Sequence, residues 1–236
     1  MSLDIYVGPL TRYYTGDWEN VLARHCRENG IQYNVLRTTP DTPDPITEPA
    51  EVRELVHGWR SLTEANLSEH LSSGLSWPEE ADGPYFTDRP NWEGYAGLLL
   101  LAAHTEFPDF AMPNRLPSEW DEDEAYLAAM TPDIGSRFSS VYNVQLWLPC
   151  PFAFTFQAED GPGNDTWMGS SFALRDQLCL LNDETYKGST DNLARWMKEG
   201  FSETDSFETC ARFGLSMFLH LAQLSVKHRL PMKLDF

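Results

Sequence analysis

Few residues in this chain stand at spacings that chemistry requires. Zinc deaminases need His-x-Glu together with Pro-Cys-x-x-Cys, because the second cysteine completes the metal's ligand set. His104-Thr105-Glu106 supplies the first half, but Pro149-Cys150 is followed by Pro151, Phe152 and Ala153. Without the second cysteine the site fails, and His104 reads instead as a helix-end residue facing the terminal carbonyls. No HExxH, HxH or Cys/His cluster is present, so neither a metal nor a cofactor is expected. The run Glu159-Asp160-Gly161-Pro162-Gly163-Asn164-Asp165 has oxygen donors but not the EF-hand spacing; turn chemistry accounts for it. Gly214-Leu215-Ser216-Met217-Phe218 ends on Phe218 where a nucleophile elbow requires Gly, and it lies mid-helix. Lys187-Gly188-Ser189-Thr190 has phosphate-loop residues in the wrong order. His25 and Cys26 are helical neighbours and diverge by about 100°, so they do not activate each other.

Two groups of a different kind remain. Arg12, Tyr13, Tyr14 and Trp18 follow the first strand, at a strand end where sites often lie. Their residue types are those enriched in binding hot spots. Glu119, Asp121, Glu122 and Asp123 form an acidic burst. Such a burst complements a helix start and equally suits a basic partner. Together they are the candidate binding residues; no catalytic residue is assigned.

Composition sharpens that choice. Seventeen Lys and Arg against 36 Asp and Glu leave a net charge of −19. That surface repels phosphate backbones, so nucleic acid is excluded as a partner, while a basic protein would be attracted and steered. With 42% hydrophobic and 13% aromatic residues in 236, the chain has the material for a buried core. Four scattered cysteines, Cys26, Cys150, Cys179 and Cys210, fit reduced thiols better than a disulfide framework. The start, MSLDIYV, lacks a charged and apolar leader, and GYAGLLLLAA is too short to span a bilayer. A cytoplasmic protein without membrane association is expected; oligomeric state has no signature.

Elements must hold these residues in place. Leu3, Ile5 and Val7 alternate with Asp4 and Tyr6 as a strand ended by Gly8-Pro9. Asp17 is expected to cap a helix carrying Trp18, Val21, Leu22, His25 and Cys26, closed at Gly30. Ile31–Leu36 reads as a second strand, and a Pro-rich surface loop follows near 38–48. Thr47 should cap a helix with Pro49 in its first turn and a stripe of Val52, Leu55, Val56, Trp59 and Leu62. Residues 72–90 read as loop, and Asn91 to about His104 as a buried helix. Residues 142–148 and 152–158 read as half-buried strands joined by a kinked connection or a non-hairpin link at Pro149-Cys150-Pro151, and a third strand follows the 159–165 turn. Between Tyr13 and Tyr14 an extended path would send the rings to opposite sides. The last helix, capped by Asp205 with Glu208, carries Phe207, Cys210, Ala211, Gly214, Met217, Phe218, Leu221 and Ala222 on its apolar face, with Arg212, Ser216 and His220 toward solvent.

This order implies one globular domain over 1–236. Its class is α+β: a single mixed or antiparallel sheet packed by several helices, with a long buried C-terminal helix. The opening LDIYVGPLTRYYTGDW resembles the start of a group of bacterial proteins of uncharacterised function. The likeness covers mainly the first eighteen residues and implies no activity, cofactor or site residue. The expected function is that of a non-enzymatic acidic binding protein, an inhibitor or immunity-type protein neutralising a basic partner. The alternative is a hydrolase-like enzyme whose carboxylate, Tyr and His groups meet only in the fold.

Overall fold

Six strands, β1 (Asp4–Val7), β2 (Phe86–Asp88), β3 (Leu146–Leu148), β4 (Phe156–Glu159), β5 (Asp165–Ser170) and β6 (Met232–Asp235), form one mixed sheet in the order β2-β1-β6-β3-β5-β4. Only the β3–β5 pair is parallel. The computed structural model describes residues 3–33, 48–72, 74–80, 82–131, 135–202 and 206–236. Around the sheet lie α1 (Leu10–Tyr14), α2 (Val21–Glu28), α3 (Pro49–Leu67), α4 (Asn91–Glu106), α5 (Glu124–Ala129), α6 (Ser171–Glu184), α7 (Thr190–Glu199) and α8 (Phe207–His228). The fold is α+β. Among the described residues no helix is long and apolar enough to cross a membrane.

Both faces of the sheet are covered. Ile5, Val7, Trp147, Met232 and Leu234 pack with α4, α6 and α8. Leu146, Leu148 and Met168 pack with Leu10 of α1 and Val52 and Val56 of α3. Burial on two faces explains why the expected alternation over 142–148 shrinks to a three-residue strand in which Trp147 is as buried as its neighbours. The link from β3 to β4 is not a hairpin, as expected, because β5 stands between them.

Helices α4 and α8 cross with backbones almost in contact. A Cβ on Gly97 would lie 2.8 Å from the Ala211 nitrogen, and one on Gly214 would overlap the Gly94 carbonyl. Every residue of the expected α8 stripe is buried. The expected polar stripe needs correction. His220 is exposed, but Ser216 is buried and donates to the Phe213 carbonyl at 2.9 Å. Arg212 lies over the Tyr186 and Trp196 rings at 4.9 and 5.0 Å, because α7 covers that side of α8.

Other expectations shift. Residues 10–14 are helical, so the next helix starts late: Asn20, not Asp17, caps it and accepts from the Ala23 N–H at 2.8 Å. Gly30 follows its end at φ 67°, the left-handed conformation glycine accepts readily. Ile31–Tyr33 is irregular, and 34–47, with the rest of the expected strand, nearly all of the proline loop and the Thr47 cap, lie outside the described residues. Within α3, Val52 and Val56 are buried but Leu62 is 63% exposed. The supposed loop 72–90 contains β2, which pairs with β1. Asp205 is likewise outside the described residues; Ser206 caps α8 through the Thr209 N–H.

Candidate functional site

The opening strand hands over to a helix. Gly8-Pro9 ends β1, and α1 begins at once. Its first free N–H groups, Leu10 and Thr11, donate to the buried Glu79 carboxylate at 3.2 and 2.8 Å. The Trp77 indole N–H donates to the same carboxylate. A buried charge is tolerable when several donors meet it, and this one ties α1 to the 75–80 segment.

Arg12 belongs to that scaffold. Its guanidinium donates to the Asp17 and Gly83 carbonyls, the latter at 2.8 Å, and lies 3.6 Å from the Asp17 carboxylate. It also covers the Tyr85 ring at 4.3 Å. Trp18 stacks on Tyr13 with centroids 5.6 Å apart and tilts against Tyr6. The extended path imagined for Tyr13 and Tyr14 is thus replaced by a helical turn, and both rings turn toward the sheet.

There they meet groups from two distant elements. Tyr13 donates to Asp235 at 2.7 Å and Tyr14 to Asp160 at 3.0 Å. Lys233, beside Asp235 on β6, donates to Asp160 at 3.3 Å and lies 5.5 and 5.9 Å from the two ring centroids. Asp160 is only 2% exposed. Its second oxygen accepts the Asn164 backbone and side-chain N–H groups at 2.8 and 3.1 Å, closing the β4–β5 turn that the Gly and Asn content predicts. Burial holds both phenols well above the usual tyrosine range, reinforced by the adjacent carboxylates. Burial also raises the Asp235 carboxyl, against the Tyr13 hydrogen bond, which lowers it. Among the described residues no three His, Cys, Asp or Glu side chains are grouped to hold a metal ion.

This cluster walls a cleft of about 470 Å³ on the α1 side of the sheet. A second cavity, about 260 Å³, lies on the α4 side between Trp92, Trp120, Tyr126 and Trp167. The two share Gln145, Leu234 and Phe236. A third, about 500 Å³, adjoins the second through Trp92 and Trp120 and carries Glu93 and Arg115. The three adjoin one another through these shared lining residues, and the surface they line is the candidate groove. Trp167 is 41% and Phe236 54% exposed.

The acidic burst sits at the rim of this groove. Trp120–Glu122 is a 3-10 turn, and Glu119, Asp121 and Glu122 are exposed around the groove-lining Trp120. Asp123 has another task. It caps α5, accepting from the Ala125 and Tyr126 N–H groups at 3.0 and 3.2 Å, and its other oxygen faces His104 Nε2 at 3.2 Å. Of these four acids the helix-start role falls to Asp123, with Glu124 beside it in the first turn of α5. Tyr13 and Tyr14 line one end of the groove and the acidic turn borders its other part, whereas Arg12 and Trp18 stand behind the lining.

Sequence reasoning missed Lys233 and Asp235 altogether and read Asp160 only as a turn residue. The signal for β6 was short: Met232 and Leu234 alternate with Lys233 and Asp235 after Pro231. Compared with protein-family models, curated proteins and solved structures, the chain matches none.

Proposed function

We propose that this chain is a non-enzymatic binding protein that takes a basic protein partner along the groove, in an inhibitor or immunity-type role. The observation that carries this is three adjoining cavities lined in part by Trp92, Trp120, Trp167 and Phe236, near the exposed Glu119, Asp121 and Glu122, on a chain of net charge −19. Partly exposed Trp and Tyr supply large contact area at little entropic cost. Rim carboxylates supply steering and selection for cations.

The hydrolase alternative has less support. Its carboxylates would be Asp160 and Asp235, which line or adjoin the cleft. Asp160 already accepts from Tyr14, Lys233 and Asn164, and Asp235 from Tyr13. Among the described residues lining that cleft there is no histidine. The bonds these carboxylates already make within the chain favour a positioning role for them over proton transfer.

The test is capture of partners from the native cells by the intact chain, by Trp167→Ala and by Asp121→Lys. Both sites are exposed, so folding is preserved. The expected result is a partner of basic isoelectric point, released by high salt and retained poorly by both variants. An acidic or neutral partner, or equal retention by all three proteins, would overturn the reading.

A further inference from the structure

We propose that an extended segment of the partner, alternating basic and apolar residues, enters the sheet as a strand in a notch between β5 and β6. This rests on the binding reading above and specifies what the groove takes. β3 begins at Leu146, opposite Met168 of β5 and Lys233 of β6. β5 already runs from Asp165, however, and β6 continues to Asp235. Gln145 adds one rung: its N–H donates to the Trp167 carbonyl and its own carbonyl accepts from the Leu234 N–H, both at 2.9 Å.

Beyond Gln145 the chain turns out of the sheet. Val144 is buried in the α4-side core, Asn143 takes φ 53°, and its side chain accepts from the Tyr126 hydroxyl at 3.4 Å. Among the described residues no strand then separates Asp165–Thr166 from Asp235–Phe236. Paired strands lie about 4.8 Å apart, so the two flanks stand about 10 Å apart, the space one strand fills. Alternate residues of a strand offer their backbone groups to the same edge. Trp167 and Leu234 bond toward Gln145, so Asp165 and Phe236 offer theirs to the notch.

The cavities identify the occupant. They lie on opposite faces of the sheet and meet at Gln145, Leu234 and Phe236. A strand in the notch sends alternate side chains to each face. On the α1 side it meets the rings of Tyr13 and Tyr14, over which the Lys233 ammonium already lies at 5.5 and 5.9 Å. That face suits Lys or Arg. On the α4 side it meets Trp167, Trp120 and Leu99, which suits an apolar side chain. Strand addition draws affinity from backbone pairing and selectivity from such alternate pockets.

The experiment uses two peptides of one composition, acetyl-Lys-Val-Lys-Val-Lys-Val-amide and acetyl-Lys-Lys-Lys-Val-Val-Val-amide. Both are titrated calorimetrically into the intact chain, with amide hydrogen exchange read on the complex. The alternating peptide should bind at least about tenfold tighter, and the Asp165 amide should exchange at least about tenfold more slowly in its presence. Asp165→Pro deletes that donor at a strand's first residue, where proline is tolerated, and should weaken binding about tenfold; Asp165→Ala keeps the N–H and should stay within about threefold. Should Asp165→Pro fold poorly, exchange on the unaltered chain decides. Equal affinity for both peptides, binding of neither, or binding without protection of Asp165 would overturn the notch. None of these results touches the capture experiment, so the broader reading stands or falls separately. Protection of Asp165 by self-association, seen as concentration-dependent sedimentation, would assign the notch to a second copy and overturn the proposal.

Discussion

Gly214→Ala and Gly58→Ala are the same chemical change with opposite expected signs. Alanine is favoured over glycine inside a helix by roughly 0.5–1 kcal/mol, because it restricts the unfolded chain. Gly58 lies in α3 with nothing within 4 Å of an added Cβ, so that gain should appear whole. Gly214 lies where α8 meets α4, and its Cβ would overlap the Gly94 carbonyl and stand 3.2 Å from the Leu98 Cβ. Neither neighbour is the tip of a flexible side chain, so the two helices must separate. Forcing extra volume into a packed core costs typically about 1–3 kcal/mol, and backbone contact belongs at the upper end. Subtracting the propensity gain leaves a net loss of about 2 kcal/mol. For a chain of this size that is a fall in melting temperature of about 4–8 °C, against a rise of about 2 °C for Gly58→Ala. Calorimetric melts of the two variants beside the parent protein measure both. A Gly214→Ala protein as stable as the parent would refute the close crossing. The groove should also report it, since α4 carries Trp92 and Tyr95 to its wall, and their fluorescence should shift only in the Gly214 variant.

Phe218 is 1% exposed and stacks on Tyr95; Phe218→Ala should cost about 3–5 kcal/mol in a denaturant melt, and a loss below about 1 kcal/mol would place it outside the core. Arg12→Ala should lower stability by more than the ~0.5 kcal/mol of an ordinary surface change while leaving partner affinity unaltered, because Arg12 bonds the Asp17 and Gly83 carbonyls and does not line the groove; the reverse pattern would make it a contact residue. Asp235 has a folded pKa raised above 3.8 by burial, so the folded state binds its proton first and this residue's contribution to stability falls as pH rises between that value and the raised one. Asp235→Asn keeps an acceptor for Tyr13, and its stability relative to the parent should therefore improve from acid toward neutral pH in parallel melts; a difference independent of pH would refute the assignment. Tyr6, Tyr13, Tyr14, Tyr95, Tyr126, Tyr142 and Tyr186 are all raised, burial being the main cause. The stability they contribute is complete below the unfolded tyrosine value near 10 and is lost above it, so the phenolate absorbance of these seven rings should rise together with loss of circular dichroism in alkali; ionisation of most of the seven before unfolding would contradict it.

The parts of the fold legible in the sequence are those with many turns of one period. The α8 stripe and α4 could be read because the first repeats its pattern along a 22-residue helix and the second is buried without a break from Gly94 to His104. Among the short elements β1 was legible from its alternation, but β2, β6 and α1 were not. β6 shows a single alternation and β2 and α1 less; they form because neighbours supply partners, Glu79 for the free N–H groups of α1 and β1 for the edges of β2 and β6. Residues 142–148 hold the expected strand only over Leu146–Leu148, for a related reason. An alternating pattern assumes one wet face, and this sheet has helices on both.

The candidate site was half legible for the same physical reason. Tyr13 and Tyr14 could be singled out by type and by position after a strand, but their surroundings are set by Asp160 and Lys233, which lie 146 residues from Tyr14 and 73 from Asp160 in sequence. Such a set exists only once β6 is placed between β1 and β3, and that placement is decided by long-range pairing. Arg12 shows the converse. It has the residue type of a hot spot, and the fold turns it inward onto two carbonyls and a ring. Residue type alone therefore cannot separate a contact arginine from a bracing one; what separates them is whether its donors already have partners when the chain is alone. By that criterion the proposed binding rests on groups left with an open side, the aromatic faces of Trp167 and Phe236 and the rim carboxylates, and on the strand-wide interruption that β3 leaves in its own sheet.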